Sequence, residues 1–225
     1  MSDDINRATG GPLAPGALTD GDSYACRYLA EVGRVAAALD PAEIEALALA
    51  LADLRARGGR LFCIGVGGGA ANASHATTDF RKITGIEAYC PLDNVAELTA
   101  RINDDGWDSA LAAYLRASRL GPDDGLFVFS VGGGDAERGI SANLVSAMTL
   151  AAEVGATVFG VVGRDGGHTA RQGQHVVVVP TVSGETVTPH TESFQAVIWH
   201  LLVSHPALQR HEMKWESVAA RARAT

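Results

Sequence analysis

Four side chains of this 225-residue chain combine a reactive type with a suggestive spacing: His75, Asp79, Glu192 and His200. His75 and Asp79 stand four residues apart, which on a helix projects both from one face. Glu192 and His200 stand eight apart, about two helical turns, and also share a face. Imidazoles and carboxylates move protons near neutral pH and ligate divalent cations. Taken singly, each has a duller explanation. A histidine inside an apolar helical run such as AVIWHLL, residues 196–202, is more often a satisfied core or interface residue than a ligand.

Glycine-rich turns are the second kind of candidate. One runs Gly65-Val66-Gly67-Gly68-Gly69 and another Ser130-Val131-Gly132-Gly133-Gly134-Asp135. Glycine lets a backbone approach a ligand closely, and a helix N-terminus beyond the turn favours anions. Two such turns at equivalent places suggest two backbone walls of one anion-accepting crevice. Neither is a nucleotide motif: no Gly-Lys-Ser/Thr follows, and no acidic residue closes the next strand. A third turn, Gly163-Arg164-Asp165-Gly166-Gly167, reads equally well as a tight connection.

The elements that must position these groups follow from hydrophobic rhythm. Arg60–Gly65, Gly125–Ser130, Thr157–Val162 and His175–Val179 are short continuous apolar runs, the pattern of strands buried on both faces. Helical stretches at about 71–83, 107–119, 142–153 and 188–204 separate or follow them. This alternation predicts an α/β fold, a doubly wound parallel sheet flanked by helices. Ahead of it, residues 23–39 and Pro41–Ala56 read as an N-terminal helical hairpin divided at Asp40-Pro41. In such sheets ligands bind beyond the carboxyl ends of the strands, where both glycine turns fall.

Composition sets the outer bounds. Hydrophobic residues make up 47% and charged residues 20%, which suits one globular domain. The formal net charge of −8, with no lysine or arginine run, weighs against nucleic acid as a partner. The three cysteines, Cys26, Cys63 and Cys90, form no CxxC pair and read as reduced cytosolic thiols. The opening MSDDINRATGG is acidic, with no apolar core of a signal peptide, and no apolar run is long enough to span a bilayer. The expectation is a cytoplasmic protein with no membrane partner: a flexible arm over residues 1–20, one domain over 21–205 and a tail over 206–225.

One combination goes further than any of its parts. The order Gly-x-Gly-Gly-x-Ala-x-x-Ala-x-His from Gly65 to His75 is followed by Asn103-Asp104-x-Gly106-Trp107. Ser130 then opens a loop, Gly163-Arg164-Asp165-Gly-Gly follows, and a late helix carries Glu192 and His200. This order resembles the phosphoheptose isomerases, enzymes of the sugar isomerase (SIS) fold that interconvert sedoheptulose 7-phosphate and a heptose 7-phosphate. The resemblance covers about residues 23–205. It implies an aldose–ketose isomerase with a phosphorylated sugar substrate, assembled as a homotetramer with active sites between subunits.

The resemblance also assigns roles. The family positions matching His75, Asp79, Glu192 and His200 hold His, Glu, Gln and His, which supply acid and base and in some members bind zinc. With Asp79 and Glu192 in this chain, two imidazoles and two carboxylates would suit one Zn²⁺ per site. Asp79 is then the expected base and His200 the acid. Gly67, Gly68, Asn72, Asp104, Ser130, Gly132, Gly133 and Glu192 are expected to contact substrate, with Ser74 beside them and His190 and Gln195 behind.

The departures bear on substrate. The family's first loop usually reads Gly-Asn-Gly-Gly-Ser, against Val66 and Gly69 here. Its phosphate loop usually reads Ser-Thr-Ser-Gly-Asn-Ser, of which Ser130 alone remains, and residues 136–140 read as an insertion before Ser141. Asp135 would repel a phosphate and is expected to cap a helix or face away. A longer ketose phosphate such as octulose 8-phosphate, or a non-catalytic sugar-phosphate-binding role, are the alternatives.

Overall fold

The structure, a computed structural model, describes residues 23–212. The arm expected over residues 1–20 lies outside the described residues, as does the tail from residue 213. Five strands form one parallel sheet in the order β2-β1-β3-β4-β5, with β1 at Leu61–Gly65, β2 at Ala88–Tyr89, β3 at Gly125–Ser130, β4 at Thr157–Val162 and β5 at His175–Val178. Every residue of β1 and β3 is buried, which is why these strands read as unbroken apolar runs.

Alternation along the strands divides the core in two. Cys63, Phe127, Phe129, Phe159 and Val161 face one layer, while Phe62, Ile64, Leu126, Val128 and Val158 face the other. The first layer is built by α2 (Pro41–Ala56), α3 (Gly68–Asp79) and α8 (Val187–Ser204). The second rests on α5 (Ala110–Ala117) and α6 (Ala142–Val154). Stacked Phe127 and Phe129, with centroids 4.6 Å apart, fill the centre of the first layer.

The two N-terminal helices part company. Asp40 caps α2 by accepting from the Ala42 N–H at 2.8 Å, with Pro41 in the first turn. Apolar on one face, the two helices of the hairpin are expected outside the sheet core, as a subunit interface; α2 departs from this. Its Leu47, Ala48, Leu51 and Leu54 are wholly buried in the first layer. α1 (Tyr24–Ala38) reaches that layer through Val35 and exposes Tyr24 and Leu29.

Three elements had not been anticipated. β2 has two residues, too short for any period. α4 (Val95–Asp105) fully buries none of its side chains, although Val95, Leu98 and Ile102 recur at helical spacing. α7 (Gly167–Gln172) follows the third glycine turn directly. The helix expected at 71–83 starts earlier, at Gly68, and passes after Asp79 into a π-helical turn, Phe80–Thr84.

Below the sheet, Asp124 joins the start of β3 to the residue before β1. It accepts from the Arg60 backbone N–H at 2.9 Å, from Arg60 Nε at 3.1 Å and Nη2 at 2.6 Å, and from the Gly121 N–H at 2.9 Å. Burial raises the Asp124 pKa, but the bonds from Arg60 outweigh it and hold the carboxyl below its ordinary value of 3.8. Replacing Asp124 by Asn should cost about 1–3 kcal/mol in urea unfolding at neutral pH. Because the native value is the lower one, that cost should fade as pH drops through it.

Candidate active site

The first glycine turn is shaped by close packing. A Cβ at Gly69 would collide with the Phe129 carbonyl, so glycine is what lets α3 start directly against β3. A Cβ at Gly68 would strike the Glu192 carboxylate, which lies on this turn. α3 and α8 are then bolted together by two side-chain amides, half-buried Asn72 and buried Gln195. Asn72 Nδ2 donates to the Glu192 carbonyl at 3.0 Å and to Gln195 Oε1 at 2.8 Å. Gln195 Nε2 donates in turn to the Val161 carbonyl of β4 at 3.2 Å.

Further along the same two helices, His75, Asp79 and His200 come together. Their ligand atoms all lie within 4.8 Å of one another. Asp79 Oδ2 is 3.7 Å from His75 Nε2 and 3.9 Å from His200 Nε2, too far for hydrogen bonds. That oxygen is buried without a hydrogen-bond partner, while the two imidazoles are partly open to solvent. His200 Nδ1 lies 2.8 Å from the Ala196 carbonyl, which can only accept, so Nδ1 carries the proton. The Nε2 lone pair is thereby turned toward Asp79. A sealed carboxylate oxygen facing two imidazole nitrogens is a donor set that fits a divalent cation.

Glu192 lies outside this group of three, at the first glycine turn. Residues eight apart share a helix face but stand about 12 Å apart along it. Glu192 therefore meets the first glycine turn, while His200 meets Asp79. Asp104, at the end of α4, accepts from Asn103 Nδ2 at 2.9 Å, and Ser74 donates to Asp93 at 2.5 Å. His190 turns away to α1, where Glu31 Oε2 lies 2.9 Å from its Nε2 and also accepts from Thr186 at 2.7 Å. The Thr186 and His190 hydrogen bonds hold the Glu31 carboxyl below its ordinary value.

The second glycine turn is welded to the third. The Gly133 N–H donates to Ser130 Oγ at 3.0 Å, and its carbonyl accepts from the Thr169 N–H and Oγ1. A Cβ at Gly133 would collide with the Gly166 carbonyl, so these glycines serve backbone packing as well as any ligand. Residues 135–140 form a small closed turn with an antiparallel bridge from Asp135 to Ile140. Asp135 accepts from the Glu137 and Arg138 N–H groups, so it caps this turn and not α6. The Arg138 bond chiefly lowers its pKa. Away from the site, His211 is exposed, whereas His168, His175 and His205 are half-buried.

Comparison with known proteins decides the family. The phosphoheptose isomerase of Rhodospirillum rubrum is 32% identical over 167 residues, 72% of this chain and 82% of that protein. The chain belongs to the phosphoheptose isomerase family. The lincomycin biosynthesis protein LmbN of Streptomyces lincolnensis is 33% identical over 186 residues, 79% of this chain but 66% of its own length. The phosphoheptose isomerase GmhA of Neisseria gonorrhoeae shares the fold, with a TM-score of 0.67 at 24% identity over 80% of this chain and 95% of that one. No protein-family model matches the chain. Family membership makes it an aldose–ketose isomerase of the sugar-phosphate class.

The two first-turn glycines should respond differently to alanine. Gly69→Ala meets fixed backbone and should cost about 3 kcal/mol or more in urea unfolding. Gly68→Ala meets only the movable end of Glu192 and should stay within about 1 kcal/mol of the parent.

Proposed function

We propose that the chain interconverts sedoheptulose 7-phosphate and a heptose 7-phosphate through an enediol, at a site centred on His75, Asp79 and His200. The observation that carries this reading is the sealed, unpartnered Asp79 oxygen between two imidazoles, in a chain of this family. Asp79 takes a proton from C1 of the ketose and returns it to C2. His200, with Nδ1–H committed to Ala196, works through Nε2 alone. Protonated at Nε2 as well, it gives that proton to O2 as the enediol forms and takes one back from O1 as the aldehyde appears. A divalent cation, zinc by the nitrogen and carboxylate donors, would be held by His75, Asp79 and His200 and would supply Lewis-acid polarisation of the carbonyl in place of the His200 proton, with water carrying the proton between the oxygens.

Glu192, about 12 Å along α8 from the acid–base group, suits hydroxyl groups toward the far end of the sugar. Its charge, where the family usually has a neutral glutamine, disfavours a phosphate beside it. The phosphate then belongs to the turn from Ser130 to Ser141. Gly67, Gly68, Asn72 and Asp104 complete the expected substrate contacts. The same reading includes a cytoplasmic homotetramer. It is supported by exposed Tyr24 and Leu29 on α1 and Val197 and Leu201 on α8, and by the lack, among the described residues, of any helix long and apolar enough to cross a membrane.

A longer substrate, an octulose 8-phosphate, is the second reading. It is favoured by the closed turn at 135–140, by the loss of loop hydroxyls, and by the likeness to a protein of lincomycin biosynthesis. Incubating the zinc-loaded protein with each ketose phosphate in D₂O and following the C1 protons by NMR tests both. Exchange and aldose formation are expected with one of them, and no exchange with either would discard the proposal. Asp79→Asn should lower turnover by about 10²–10⁴-fold. Near-parental turnover by that variant would remove Asp79 as the base.

A further inference from the structure

Trp199 precedes His200 on α8 and is 1% exposed, fixed within the first core layer. Its ring lies against both imidazoles of the metal group. The centroid is 3.4 Å from that of His200 and 4.6 Å from that of His75, which reaches across from α3. The two imidazoles stand edge-on to each other, 5.6 Å apart at 89°. The indole is therefore one rigid surface shared by two ligands from two different helices.

Core filling does not explain a tryptophan here. Its Nε1–H is buried without an acceptor, although buried tryptophans usually satisfy that group. Phenylalanine or leucine would be apolar throughout and leave no donor stranded. What tryptophan alone adds is the largest and most electron-rich aromatic face. Imidazoles that share the charge of a bound cation are drawn to such a face, and rings already held against it need less ordering when the cation arrives.

We propose that Trp199 is a positioning residue for the metal group, presetting the His75 and His200 rings and favouring their cation-loaded state. This rests on the reading of His75, Asp79 and His200 as a metal site. Trp199 itself touches neither substrate nor cation.

The test uses the full chain carrying Trp107→Phe and Trp215→Phe, so that Trp199 is the sole indole. The protein is stripped with a chelator and titrated with Co²⁺. The visible d–d band reports coordination and indole emission reports Trp199. Emission should change in step with the d–d band. Trp199→Phe, with a weaker aromatic face, should bind Co²⁺ about 3–10-fold more weakly than the parent, and Trp199→Leu and Trp199→Met about 10–100-fold more weakly, as loss of a supporting residue typically does. Metal-free thermal midpoints, measured alongside, separate that loss from general destabilisation.

Unchanged indole emission at full Co²⁺ occupancy, or parental affinity in a folded Leu or Met variant, would overturn the proposal and leave the metal site standing. Should the Leu and Met variants fail to fold, the emission result decides. A parent that takes up no Co²⁺ would instead overturn the metal reading, and this proposal with it.

Discussion

The site depends on how closely α3 can lie against the sheet, and that is set where Gly69 passes the Phe129 carbonyl. Any side chain there would lift the first turn of α3 away from β3. The Asn72 bonds to Glu192 and Gln195 would lengthen, and with them the register between α3 and α8. His75 and Asp79 lie one and two turns farther down α3, so a small tilt at Gly69 is magnified at the reactive groups. The contact is between backbones and leaves no rotamer to absorb an error.

Buried polar groups carry that register across the interface. Gln195 is wholly buried and satisfied at both ends, by Asn72 and by the Val161 carbonyl of β4. A satisfied amide inside an apolar layer fixes one alignment of the helices, because sliding either would strand a donor. At the other end of the same interface, Asp79 keeps one oxygen sealed and unpaired. The fold is thus fully satisfied where it holds the two helices and deliberately incomplete where they react.

Sequence rhythm disclosed four of the five strands, because runs such as GLFVFS are buried on both sides and can be nothing else. β2 escaped because two residues have no rhythm, whereas α4 was legible: Val95, Leu98 and Ile102 recur at helical spacing after the Asn94 cap. At the site, i,i+4 spacing was enough to pair His75 with Asp79. Meeting His200 required the α3–α8 contact, which pattern reading cannot supply. Sharing a helix face says nothing about distance along the axis, and Glu192 stands about 12 Å along α8 from His200. Trp199 was concealed for the opposite reason, since inside AVIWHLL an aromatic residue reads only as core. The glycine turns signalled close approach correctly but could not say whether the approaching partner was ligand or backbone.

The half-satisfied Asp79 also bears on how long the protein lasts. An acceptor shut away from water makes the vacant site the costlier form of the fold. Any occupant that meets that oxygen shifts the folding equilibrium along with the chemistry. If that occupant is the proposed cation, its scarcity would thin the folded population by unfolding and proteolysis as well as slow each turnover.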